Sequence, residues 1–440
     1  MKVKYAFNLG RVYTLSLAEL FSVFESWGID FRLVDLYREI LIIETEAEID
    51  IKKLQAVLGG TIKIMEVLDS VGRKKLVGPA QAFAEYFDAK NLKEKFLSPA
   101  ATGKVQIGIS LYPMARQLTL RGENWRLGLA IKKVLSTAGF SVRIVLPQRE
   151  AISLPSVVVT HEHLLEKGAE IDFLVGSERI YLGKTRSVQD FEDYGRRDYQ
   201  RPVRSTSQGM LPPKVAQVMI NLAQVPKAGK AAKLHPAVLD PFVGSGTVLQ
   251  EAMIMGLHVV GSDISEKAVE AAEKNLLWIK NRYKLPPGHF QVVVSDVKDL
   301  QKNLPKFAYE AVVTEGTLGP AYTMAPDEKE IKKNFAALEK IYLAGLAAIK
   351  EVLGPGKRVV IALPAYRTES GYHFFDIIDK VSKLGYDVVD PLPAVLMERF
   401  DFLLVTGRRS IIYDRKDQFV SREIFILIVK GSQNEERSTD

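Results

Sequence analysis

Cysteine is absent from the 440 residues, which removes disulfides, thiolate zinc sites and cysteine nucleophiles together. Histidine is scarce, with six in the chain. Only His161 and His163 stand close together, and they lack the spacing of a two-histidine helical zinc motif, so no metal site is expected. No apolar run approaches the ~18 residues of a membrane span; Ile424 to Val429 is typical of the longer ones. Near the N-terminus, Asn8 and Arg11 interrupt the apolar residues too early for a secretory signal. A soluble, cytoplasmic protein without membrane contact is the expectation.

What is present is ordinary globular material, with 47% hydrophobic, 26% charged and 9% aromatic residues. At ~150 residues per domain, the length suggests two to three domains. The net charge is +7 and the isoelectric point about 9.1. That balance admits an anionic partner such as RNA or DNA without choosing between them.

The first 75 residues alternate strand-like and helix-like runs: Tyr5 to Leu9, Ser16 to Trp27, Phe31 to Leu36, Ile40 to Glu44, Ile51 to Leu58 and Thr61 to Val67. Their order, βαββαβ, predicts a ferredoxin-like unit. A second α/β block, 76–185, reads as a helix from Gln81 to Phe96, a strand from Val105 to Leu111 and an amphipathic helix from Trp125 to Thr137. Strands at Ser141 to Leu146 and Val157 to Thr160 follow, then a hairpin from Asp172 to Leu182. Arg116, Arg121, Arg126, Lys132, Lys133, Arg143 and Arg149 are concentrated here. They suit a solvated face and an RNA contact equally.

Between Lys184 and Lys233 the chain reads as loop-rich and basic, with ten Lys or Arg against four Asp or Glu. Arginine alternates with tyrosine from Tyr194 to Arg204, as favours a phosphate backbone and unstacked bases; an interdomain linker is the competing reading. Arg196, Arg197, Arg201 and Arg204 are the candidate nucleic-acid contacts. Pro212 and Pro213 then open a helix to about Leu222.

The most informative stretch is Val238 to Leu249, where an apolar strand enters Asp240-Pro241-Phe242-Val243-Gly244-Ser245-Gly246-Thr247 and leaves as a helix. Amide groups at such a helix start are free to meet a ligand closely. Leu249 stands where a dinucleotide fingerprint needs its third glycine, and no Lys-Ser or Lys-Thr pair follows, so NAD, FAD and a P-loop are disfavoured. A second strand, Leu257 to Gly261, leads to Asp263, placed 17 residues after Gly246 to accept from ribose hydroxyls. A third, Phe290 to Val294, delivers Asp296, where an acid can accept from an adenine amine. Three acids in this order after three apolar strands favour S-adenosylmethionine over another nucleotide. Asp240, Phe242, Gly244, Ser245, Gly246, Thr247, Asp263, Ile264, Asp296 and Val297 are the candidate cofactor residues.

Asp240 to Thr247 resembles the first motif of the amino-methyltransferases of nucleic-acid bases. Within that group, Arg196 to Arg204 and Gly209 to Ala223 are similar to the THUMP-containing tRNA guanine-N2 methyltransferases. The resemblance is specific from 196 to 263 and rests on element order before 185. It implies an α/β architecture: a ferredoxin-like domain (1–75), a THUMP-like RNA-binding domain (76–185), a basic linker (186–210), a Rossmann-like methyltransferase domain (211–432) ending its sheet in an antiparallel pair, and a polar tail (433–440). The implied activity is S-adenosylmethionine-dependent methylation of an exocyclic base amine in tRNA, most often guanine N2. The alternatives are a non-catalytic RNA-binding protein of the same fold and an amino-methyltransferase of DNA. Nothing in the pattern calls for a partner subunit.

The family carries an acid or amide, two prolines and an aromatic after the fourth strand. Here that segment is Thr314-Glu315-Gly316-Thr317-Leu318-Gly319, with Glu315 at the acid position and no proline pair or aromatic. Thr314, Glu315 and Gly316 are the candidate catalytic residues. The missing prolines predict a looser backbone, and a flipped base loses a stacking contact of ~1 to 3 kcal/mol unless Tyr322 replaces it. Toward the C-terminus, Arg358 to Leu363 reads as a strand, and Phe402 to Thr406 and Glu423 to Val429 as the two arms of a hairpin.

Overall fold

The computed structural model describes residues 2–72, 88–97, 104–116, 118, 120–148, 150–204, 210–226, 236–286, 290–415 and 418–431. The N-terminal part of the helix expected from Gln81, part of the basic linker, Arg149 and the tail lie outside these residues. The chain divides into two compact units, one of Met1–Tyr13, Ile29–Ala56 and Thr61–Phe191, the other of Thr14–Gly28, Val57–Gly60 and Glu192–Asp440.

The first unit is built on an eight-stranded sheet of order β2-β3-β1-β4-β8-β7-β5-β6. Strands β1 (Val3–Leu9), β2 (Phe31–Tyr37), β3 (Ile40–Thr45) and β4 (Thr61–Gly72) pair antiparallel in the order a ferredoxin-like unit requires. Strand β4 also pairs with β8 (Arg179–Val188), so β5 (Lys104–Pro113), β6 (Ser141–Val145) and β7 (Gly168–Val175) continue the same sheet. The β7–β8 hairpin appears where it was expected and extends further at both ends. Val157 to Thr160, expected as a strand, is helical within Ser156–His161. Pro155 sits at its N-cap, and a short apolar run has no period by which strand and helix can be told apart.

Lys63 is buried in this unit and donates to the Leu154 carbonyl at 2.7 Å and to Glu170. Glu170 also accepts from Ser110 at 2.6 Å and from Thr185 at 2.7 Å. Burial, with the Glu170 charge beside it, pushes the Asp172 carboxyl well above its ordinary range. Removing the lysine leaves a buried carboxylate without a counter-ion, so Lys63→Met is expected to cost about 3–5 kcal/mol in urea unfolding. Adding Glu170→Leu should recover most of that loss; no recovery would place the cost in packing instead.

In the second unit, α1 (Tyr13–Trp27) and the 57–60 turn are tied to α8 (Pro213–Leu222). Glu19 is fully buried and accepts from the amides of Gly59 and Gly60, each at 2.8 Å, and from Asn221 Nδ2 at 2.7 Å. Burial pushes its carboxyl up to about 7. The main sheet runs β11-β10-β9-β12-β13-β17-β15, with β14 (Gly371–Phe374) on β13 and β16 on β17. Strands β9 (Ala237–Asp240), β10 (His258–Asp263), β11 (Phe290–Val294), β12 (Tyr309–Glu315) and β13 (Arg358–Thr368) are parallel. The chain moves outward from β9 through β10 to β11 and then crosses to β12 on the other side of β9. That crossing opens a crevice at the carboxyl ends of β9 and β12. Strand β17 (Val420–Val429) enters antiparallel between β13 and β15 (Tyr386–Val389), as the methyltransferase reading requires.

Helix α10 (Glu266–Tyr283) begins where Ser265 accepts from the Ala268 amide, and it carries Lys280 and Arg282 in its last turn. Helix α12 (Glu328–Leu353) is capped by Asp327, which accepts from the Glu330 amide at 2.7 Å. Two expectations are corrected here. Phe402 to Thr406 is irregular, its Leu404 amide donating to Thr14 Oγ1 at 2.9 Å, and the hairpin partner of β17 is β16 (Ile411–Tyr413). The tract after Lys184 is less loop-rich than its composition suggests, since β8 runs to Val188 and α7 spans Phe191–Tyr199.

Candidate active site

A cavity of about 800 Å³ lies at the carboxyl ends of the parallel strands, lined among others by Asp240, Gly244, Asp263, Asp296, Glu315 and Gly316. The residues expected at three separate strand ends therefore share one space. Asp240 is buried and accepts from Thr314 Oγ1 at 2.7 Å and from the Phe242 amide at 3.2 Å. Burial pushes its carboxyl up to about 7, against the pull of the Thr314 hydroxyl. Thr314 thus orients Asp240, its own side chain fully buried.

After Asp240 the backbone turns through Gly244 and Gly246, with φ of 50° and 83°. Such values favour glycine, and a Cβ at Gly246 would come within 3.3 Å of Ala272 Cβ on α10. Gly246 caps α9 (Thr247–Ile254). Asp263 holds this turn from the next strand: its oxygens accept from the Gly244 amide and from the Ser265 amide, each at 3.0 Å. Ile264 is 71% exposed and forms an apolar wall beside it. Asp296 accepts from the Lys298 amide at 3.1 Å and pairs with the Lys298 ammonium at 3.0 Å. These contacts, the backbone bond first, hold its carboxyl below the ordinary range. Phe242, Ser245, Thr247 and Val297 also line the cavity.

Glu315 ends β12, and both of its oxygens accept from Arg422 on β17, through Nε and, at 3.1 Å, through Nη2. The arginine is buried, its side chain 3% exposed. Burial raises the Glu315 carboxyl above its ordinary value, and Arg422 opposes that rise. The backbone that follows, expected to be looser without its prolines, is bonded from below at two carbonyls. The Thr317 carbonyl accepts from Tyr342 Oη of α12, and the Leu318 carbonyl from Tyr366 Oη of β13, each at 3.0 Å. Tyr322 packs edge-on against Tyr366 and bonds Asn334 instead of facing the cavity.

The four arginines fare differently. Arg197 is buried, 3.3 Å from Glu251 and stacked on Tyr194. Burial pushes Glu251 up to about 7, with Arg197 pulling it down. Arg201 is also buried, and its Nη1 donates to Thr247 Oγ1 at 2.7 Å, so this guanidinium braces the start of α9. Neither is presented to an external strand, which corrects the expectation for both. Arg196 lies 3.7 Å from Glu192 on its own helix. Arg204 is exposed, lies over the Tyr199 ring at 4.9 Å and lines the cavity. Arg422, Tyr342 and Tyr366 were missed from the sequence. The one signal for Arg422 was Arg422-Glu423, a charged pair set into an otherwise apolar strand.

The crystal structure of TrmN from Thermus thermophilus aligns with 98% of this chain and 100% of its own, with a TM-score of 0.53 at 16% identity. The chain shares the fold of that structure. A family model described as "DNA methylase" matches residues 187–274, the tract holding the glycine turn and Asp263. The tRNA (guanine(10)-N2)-dimethyltransferase of Pyrococcus abyssi is 31% identical over 196 residues, 44% of this chain and 46% of that protein. The protein of the same name from Methanothermobacter thermautotrophicus is 31% identical over 191 residues, 43% of this chain and 49% of that protein. The chain thus spans about half the length of the curated relatives it matches. These relatives carry the name of the group that the 196–263 tract resembles. Among the described residues, no helix is long and apolar enough to cross a membrane.

Proposed function

We propose that this protein is an S-adenosylmethionine-dependent methyltransferase acting on an exocyclic base amine of tRNA, guanine N2 in the first instance, in the cytoplasm. The observation that carries the reading is the convergence of Asp240, Asp263, Asp296 and Glu315 on one cavity beside a glycine turn. Its volume falls within the range of about 300–1,000 Å³ usual for small-molecule sites. The donor set also fits the cofactor. Asp240 holds the amino-acid end, Gly244 and Gly246 allow close approach, Asp263 accepts from the ribose hydroxyls and Asp296 from the adenine amine. When bound, the cofactor supplies a methyl group on a sulfonium.

Glu315 accepts from the target amine and opposes the positive charge that develops on its nitrogen. Arg422 opposes the rise that burial imposes on the Glu315 carboxyl, which supports a catalytic over an inert reading of the site. Residues 1–75 and 76–185 act as the ferredoxin-like and THUMP-like parts that bind folded tRNA. In the first unit, Trp125 is 61% exposed, with Arg121, Arg126, Lys132 and Lys133 exposed along the same segment. An aromatic face among cations suits stacking on an unpaired base. At the cavity, Arg204 is the candidate phosphate contact.

The test is incubation of undermodified tRNA with labelled cofactor at fixed salt, followed by nucleoside analysis, with duplex DNA as the competing substrate. Label in N2-methylated guanosine is expected. Transfer to DNA alone, or cofactor binding without transfer to any nucleic acid, would reject the reading.

A further inference from the structure

The two tyrosines beneath the 315–319 segment reach it from different elements, and each takes one carbonyl. Tyr342 is nearly fully buried against Phe242 and Phe375, at ring separations of 6.0 and 5.7 Å. Tyr366 is fully buried and stacks on Phe335 at 5.0 Å. Burial pushes both phenols well up, so each remains a protonated donor. The glycines fit these hydroxyls. A Cβ at Gly316 would stand 2.5 Å from Tyr342 Oη, and one at Gly319 would run into Tyr366 Oη. Gly319 also has φ of 87°, where a side chain is strained. At both positions the tyrosine hydroxyl stands where a side-chain carbon would otherwise go.

We propose that Tyr342 and Tyr366 are positioning residues that hold the Glu315 to Gly319 backbone in place from the protein side, doing through hydrogen bonds what a proline pair does through its rings. This rests on the methyl-transfer reading of the same site. The carbonyls of Thr317 and Leu318 are engaged by the clamp, and Arg422 fixes Glu315 at the segment's start. Gly316, between Glu315 and the two clamped carbonyls, lines the cavity. In-line methyl transfer is sensitive to displacements of that amine on the order of 1 Å, so the clamp acts on turnover and not on cofactor binding.

Phenylalanine at either position keeps the ring and removes only the hydroxyl. Tyr342→Phe, Tyr366→Phe and the double variant of the full chain should be compared by hydrogen exchange across 316–319, by single-turnover transfer to undermodified tRNA, and by cofactor titration. Exchange in that segment is expected to quicken about tenfold in each single variant and about hundredfold in the double. Transfer should slow by about the same factors, while cofactor affinity stays within about twofold. Unchanged exchange in the double variant overturns the clamp, and so does faster exchange with unchanged transfer. If the wild-type chain binds cofactor but methylates no nucleic acid, the methyl-transfer reading fails, and exchange alone then decides whether the tyrosines hold the loop.

Discussion

Arg422→Met is expected to slow methyl transfer about hundredfold and to move the acid limb of its pH profile upward. The guanidinium bonds both oxygens of Glu315 from a buried position, and burial alone already raises that carboxyl. In the proposed reaction Glu315 acts as an anion, so activity would be present above its pKa and lost as the pH falls through it. Without the arginine the carboxyl titrates higher still, and activity disappears at a pH where the wild type retains it. Arg422→Lys keeps a charge but not the two-pronged geometry, and should fall between the two. Single-turnover rates measured from about pH 5 to 9 read the limb directly. A slower variant whose limb has not moved would mean that Arg422 serves packing only.

Asp263→Ala should weaken cofactor binding by about hundredfold, the largest loss expected among the three strand-end acids. Its two oxygens receive amides from two different loops, Gly244 before α9 and Ser265 before α10. Alanine therefore removes the acceptor meant for the ribose and also frees the glycine turn. Asp296 offers a contrast, since its carboxylate accepts from one backbone amide, that of Lys298, and its charge is shared with the Lys298 ammonium. Asp296→Ala should cost about tenfold or less. Titration calorimetry with the cofactor checks both. Equal losses at the two positions would remove the turn-holding role from Asp263.

The parts of the site legible in the sequence were those written locally. The strand, glycine turn and helix from Val238 onward, and an acid at the end of each following strand, are short-range patterns that parallel-sheet topology turns into one cavity. The ferredoxin-like order was legible for the same reason. What could not be read was long-range. Arg422 meets Glu315 across 107 residues, and the tyrosines reach their carbonyls across 25 and 48. Arg197 and Arg201 have the composition of a surface tract, but Glu251 and Thr247 receive them in the interior. Local pattern carries no sign of that burial, just as the valines at 157–159 carry no sign of a helix.

The carboxylate of Glu19 also bears on how the chain can be cut and in what order it matures. Residues 14–28 and 57–60 belong to the same compact unit as Glu192–Asp440. A fragment begun at Glu192 would keep the whole sheet of the second unit but leave Asn221 without the carboxylate and carbonyl it bonds. During synthesis, α1 is made long before its partners around Asn221, while the strands on either side of it can each pair with β3 as soon as that strand is made. The second unit is therefore an interrupted domain, and residues 14–28 are part of its foundation.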